Sequence, residues 1–87
     1  MSQRNYSHDD APIEELVGYI AKSLVNDPSQ VKVRRRNTSS AIVLELQVAQ
    51  EDVGRVIGKD GRVANAIRAL LRVADHNSRK RIILEIL

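Results

Sequence analysis

Gly58, Lys59, Asp60 and Gly61 are the residues of this chain whose types and spacing can do chemistry. Glycine carries no Cβ and takes positive φ readily, so a phosphate backbone can approach the bare amides of such a loop. A run with helical periodicity begins directly at Arg62. Free N–H groups and the dipole at a helix start favour an anion. Lys59 and Arg62 add positive charge at the same place. Taken alone, two glycines separated by two residues mark only a tight turn. The flanking residues give the loop its meaning. Arg55, Val56 and Ile57 end a short amphipathic piece, Val53 to Ile57, that runs straight into it.

Other chemistries lack their residues. A nucleotide-binding P-loop needs four residues between its glycines and a Ser or Thr after the lysine. Gly54 to Gly58 is one residue short, and Asp60 stands where the hydroxyl should be. His8 and His76 are the only histidines, and neither has a Cys or His partner at ligand spacing. Asp75 beside His76 is no acid–base pair, because adjacent helical residues do not face each other. No nucleophile stands out. The expectation is a protein that is not an enzyme, with no metal, no cofactor and no small-molecule substrate.

The chain has 87 residues, enough for one small domain. With no cysteine there is no disulfide or thiolate site, which fits a reducing, cytoplasmic setting. No apolar run approaches the roughly 18 residues of a membrane helix, and the polar residues 1–10 read as a flexible tail before a domain at 11–87. The net charge of +3 is unevenly spread. Residues 1–30 hold two basic side chains against five acids, whereas residues 31–87 hold twelve against six. Basic charge gathered on one part of a small domain suits a polyanion. Tyr6 and Tyr19 are the only aromatic residues. Folds that stack bases on aromatic side chains of a sheet are therefore excluded, while a backbone clamp is not.

The elements that must position the loop follow from periodicity. Acids and Pro12 open a first helix whose stripe is Ile13, Leu16, Val17, Ile20 and Leu24, with Tyr19 also expected in the core. Pro28 closes it. Val31 and Val33 alternate with Lys32 and Arg34, predicting a strand over about residues 30–36 that ends in Arg34-Arg35-Arg36. That basic end suits either an edge guarded by charge or contact with a polyanion. Ile42, Leu44, Leu46 and Val48 predict a second strand, joined to the first as a hairpin through residues 37–40. After the two helices flanking the loop, residues 82–87 predict a third strand. Its helical crossover implies parallel pairing. The fold class is α+β: helix–strand–strand–helix–helix–strand, a three-stranded mixed sheet with helices on one face.

Val56-Ile57-Gly58-Lys59-Asp60-Gly61-Arg62 resembles the V-I-G-x-x-G signature of KH domains, and the element order is that of the type II KH fold. The chain is similar to the bacterial KhpA family over about residues 11–87. The resemblance implies clamping of a single-stranded RNA backbone at the loop, by Arg55, Val56, Ile57, Gly58, Lys59, Asp60, Gly61 and Arg62. Gly58 and Gly61 would admit the backbone, Lys59 and Arg62 would meet phosphates, Val56 and Ile57 would wall the bases, and Arg55 would flank the groove. It also implies a homodimer, a KhpB-type KH partner, and work as an RNA chaperone or post-transcriptional regulator linked to cell elongation. Asp60 partly cancels Lys59, which keeps open a protein-interaction adaptor with weak RNA binding. A ribosome-assembly factor is the other alternative.

The helix after the loop offers a surface for self-association. At about 100° per residue, Asn65, Arg68, Arg72 and Asp75 share a narrow polar arc, leaving an apolar arc of about 220°. Packing on one sheet needs little more than about 100°. The excess edge, Ala66, Ala69, Leu70 and Val73, is expected to face a second copy or a KH partner. A helix buried on more than one side is the alternative, and the uncovered sheet face with Val43, Ile83 and Leu87 is the other candidate surface.

Overall fold

The computed structural model describes residues 11–75 and 80–87. The expected tail at 1–10 and the turn at His76 lie outside them. Helix α1 spans Ala11–Leu24. Val17 and Ala21, one turn apart, are fully buried, and Ile13 and Ile20 pack beside them. Tyr19 is not in the core, since it is 71% exposed. It lies two residues, about 200°, around the helix from Val17, so the face that buries Val17 turns Tyr19 outward. Leu16 and Leu24 are also partly exposed, at 42% and 38%, leaving a buried stripe narrower than the apolar one.

One 3₁₀ turn, Pro28–Gln30, follows α1 and is closed by Val31 N–H donating to Pro28 O at 3.1 Å. This turn takes up the residues before strand β1, which spans Lys32–Asn37 and so starts later than alternation suggested. Strand β2 spans Ala41–Gln47. The two form an antiparallel hairpin from Lys32 opposite Gln47 to Asn37 opposite Ile42. Thr38 fastens the hairpin tip, its N–H donating to Ala41 O at 2.8 Å and its hydroxyl accepting from Ala41 N–H at 2.9 Å.

Helix α2, Val53–Ile57, and helix α3, Arg62–Asp75, form the crossover to strand β3, Arg81–Ile86. β3 lies parallel to β2, which makes a three-stranded mixed sheet in the order β1–β2–β3. Ile42, Leu44 and Leu46 pair with Ile82, Leu84 and Ile86 on one face. The core forms where that face meets Val17 and Ala21 of α1, Val56 of α2, and Ile67 and Leu71 of α3. The α+β type II KH architecture read from the pattern is the one observed.

On the opposite face Arg36 spans the sheet. Its Nε lies 3.1 Å from Glu45 Oε2 and its Nη2 3.7 Å from Glu85 Oε1. These exposed pairs contribute little each, but they fix the Arg36 side chain across β2. No helix among the described residues is long and apolar enough to cross a membrane.

Candidate functional site

Helix α2 is five residues long, too short to be stable by itself. Burial of Val56 in the core anchors it. Val56 is therefore not part of a ligand-facing wall, because its side chain has 0% exposure. Every apolar side chain near the loop looks alike in a sequence, but only Ile57 of this pair reaches the surface.

Gly58 ends α2 at φ 79°, ψ 171°, with its N–H donating to Gly54 O at 2.8 Å. Only glycine occupies that region readily. A Cβ there would also stand 2.8 Å from Val63 N and 2.5 Å from Val63 Cγ2. Gly58 thus has two structural reasons to be glycine. A 3₁₀ turn, Lys59–Gly61, follows, with Gly61 N–H donating to Gly58 O at 3.1 Å. Asp60 sits in the left-handed region at φ 57°, ψ 24°. Aspartate and asparagine tolerate this conformation better than other non-glycine residues do. The turn thus supplies a backbone reason for an acid in a loop otherwise suited to anions.

Gly61, at φ 78°, differs from Gly58 in its surroundings. A Cβ on it would meet only Asn65 Nδ2, at 3.7 Å. That is an ordinary contact with no crowding, and the exposed side chains of Lys59 and Arg62 flank the position. α3 starts at Arg62, so the loop sits on the N-terminal end of a 14-residue helix. The loop therefore presents open backbone, a helix N-terminus, two cations and one anion.

Arg55 has a different setting. Its Nε lies 3.2 Å from Asp52 Oδ1. Asp52 is only 1% exposed and accepts backbone N–H bonds from Asn26 at 3.2 Å and Asp27 at 3.1 Å. This carboxylate holds the turn after α1 against the start of α2, and it offsets the Arg55 charge. Sequence reasoning missed Asp52. An acid just before an apolar-periodic helix was its only signal, and that signal points to an N-cap. Asp52 makes no such cap bond, because its partners come from 25 and 26 residues earlier.

Basic charge continues past the loop. Arg68, Arg72 and Arg81 line a shallow hollow of about 300 Å³ beside Ile82, Ile83 and Leu84. Arg68 Nη2 donates to Leu84 O at 3.5 Å, reaching the free edge of β3. Further along α3, Ala66, Ala69, Leu70 and Val73 are exposed, Leu70 by 50% and Val73 by 70%. Ala64, Ile67 and Leu71 make up the buried side. Among the described residues no group of three or more His, Cys, Asp or Glu could hold a metal ion.

A family profile described as "KhpA/KhpB, KH domain" matches residues 14–86. Curated relatives include the "RNA-binding protein KhpA" of Caldanaerobacter subterraneus subsp. tengcongensis, 49% identical over 73 residues, which cover 84% of this chain and 97% of that protein. The protein of the same name from Treponema pallidum is 49% identical over 74 residues, covering 85% of this chain and 92% of its own. That of Clostridium acetobutylicum is 45% identical over 75 residues, covering 86% of this chain and all of its own. No solved structure matches the chain.

Proposed function

The chain belongs to the KhpA/KhpB family of KH-domain proteins, and from that premise we propose that it binds single-stranded RNA by clamping the sugar–phosphate backbone on the loop 58–61. The observation that carries this reading is the open backbone at Gly61 between Lys59 and Arg62. Phosphate seats over Gly61, where a side chain would otherwise stand. Lys59 and Arg62 neutralise it, and Ile57 walls the adjoining base. Asp60 lowers affinity by opposing Lys59. Arg55 contributes little net charge, because Asp52 already holds it. Arg68 and Arg72 extend the track for the strand along β3. With no aromatic platform, sequence preference is weak.

The relatives named for RNA binding support this reading. In the cell the protein acts in the cytoplasm as an RNA chaperone or post-transcriptional regulator linked to cell elongation. It works as a homodimer through Ala66, Ala69, Leu70 and Val73, and also pairs with a KhpB-type KH protein. A non-catalytic adaptor is the second reading, favoured by the exposure of Leu70 and Val73 beside a loop that carries an acid.

The test is a gel shift with a single-stranded oligonucleotide across a salt series. Four neutralised phosphates predict a log–log slope near −3 for a single strand, roughly −0.7 for each phosphate. Lys59→Asp places two acids between the glycines and should abolish the shift while circular dichroism stays native. A variant that binds as well as the parent, or a parent slope near zero, would leave the adaptor as the surviving reading.

A further inference from the structure

Strand β1 is the other free edge of the sheet, pairing only with β2 among the described residues. The hairpin register decides which of its backbone groups face outward. Thr38 N–H donates to Ala41 O, so these two form a hydrogen-bonded pair. Alternation along the antiparallel ladder makes Arg36–Val43, Arg34–Glu45 and Lys32–Gln47 the further pairs of that kind. Val33, Arg35 and Asn37 therefore turn their N–H and C=O groups toward the free edge. The register runs without a bulge from Lys32 to Asn37, and the strand holds no proline. Bulges and prolines are common means of blunting an edge, and β1 uses charge instead.

The two sides of this edge differ in chemistry. Lys32 and Arg34 stand exposed on the sheet face away from the helices, while Arg36 beside them is engaged with Glu45 and Glu85. On the helix side a groove of about 400 Å³ runs between α1 and β1, with Val31, Val33 and Gly18 in it, Tyr19 on its wall, and Glu14, Glu15 and Lys22 at its rim.

We infer that β1 accepts an added strand from another protein, an extended segment alternating apolar and acidic residues. Its apolar residues enter the groove over Val31 and Val33, its acidic residues meet Lys32 and Arg34, and its backbone pairs with Val33, Arg35 and Asn37. Strand addition takes affinity from the main chain and specificity from alternate side chains. The charges select among occupants. A second copy of β1 would set Lys32 and Arg34 against cations of its own kind, which is unfavourable across a strand pair. RNA is opposed by Glu14 and Glu15 at the rim. The clamp on loop 58–61 is not needed for this contact.

The test uses the full chain labelled with nitrogen-15 and four probes. One is a glycine-flanked peptide alternating Glu and Val over six residues. The second is its Lys–Val counterpart, the third has the same Glu and Val residues in two blocks, and the fourth is a single-stranded RNA oligonucleotide. The alternating acidic peptide should shift the Val33, Arg35 and Asn37 amides and slow their exchange. It should bind roughly tenfold more tightly than the Lys–Val peptide, from two cross-strand charge pairs. The double variant Lys32→Glu, Arg34→Glu should reverse that preference while keeping its native spectrum. The inference is overturned if the acidic peptide leaves these amides unmoved, or if the blocked peptide acts equally, since charge alone would then suffice. RNA shifting the same amides would also overturn it. If the double variant fails to fold, the wild-type comparison of the four probes decides.

Discussion

Replacing each loop glycine by alanine separates two roles that a Gly-x-x-Gly pattern merges. At Gly58, alanine must adopt φ 79°, ψ 171°, a region costing about 1–3 kcal/mol for a residue with a Cβ. The new methyl also arrives 2.8 Å from Val63 N, a backbone atom that cannot swing aside. Relief of such overpacking costs a further 1–3 kcal/mol, roughly. Together these predict a loss of about 2–6 kcal/mol, centred near 4. At Gly61 the φ of 78° costs alanine about 1–2 kcal/mol, and its methyl meets only Asn65 Nδ2, at an uncrowded 3.7 Å. An 87-residue domain holds only about 4–13 kcal/mol in all. Urea unfolding followed by circular dichroism measures both variants. Gly58→Ala should lower the midpoint far more than Gly61→Ala, with the slope unchanged in each. Gly61→Ala should remain folded and lose RNA, because its methyl would stand where the proposed clamp seats phosphate. Equal destabilisation of the two, within about 1 kcal/mol, would refute the packing argument at Gly58.

Asp60→Asn keeps a residue that tolerates the left-handed turn and removes the one acid of the loop. It should tighten RNA binding several-fold at low salt, with the gain vanishing at high salt, as titration of a labelled oligonucleotide would show. Val73→Glu would put a charge opposite its own copy in the proposed two-fold contact, so sedimentation should report a folded monomer. A dimer persisting in that variant would move the interface to another surface. Asp52→Ala strips partners from two backbone N–H groups and Arg55, and thermal or urea unfolding should show a loss of about 3 kcal/mol.

The sequence made the sheet and the loop legible for a simple reason. Ile42, Leu44 and Leu46 alternate cleanly and match Ile82, Leu84 and Ile86, so one face had to be covered. Glycines bracket the loop, and helical periodicity resumes at once after it. Depth was not legible. Val56 and Ile57 are neighbours of similar character, yet one is core and the other surface, because which side of a five-residue helix turns inward is set by its packing. Tyr19 looked like core by composition, and its angle from Val17 places it outside. Arg55 reads as flanking the groove, because its partner, Asp52, is held by backbone groups 25 and 26 residues earlier that no local pattern reveals. Asp60 read as a mismatch of charge, since a left-handed φ leaves no periodic mark in a sequence. Residues of this last kind act through local backbone shape or distant partners, and neither shows in spacing.

The Asp52 carboxylate has a further consequence for how motion in this protein can be watched. The amides of Asn26 and Asp27 are protected by a group carried at the head of α2. Their exchange with solvent should therefore track the opening of α2, although they lie in a different connection of the chain. They form a native gauge of the loop's rigidity, read without a label and without touching residues 58–61. Any occupant that stiffens the loop through α2 should slow these two amides together, and one that binds elsewhere should leave them running at their own rate.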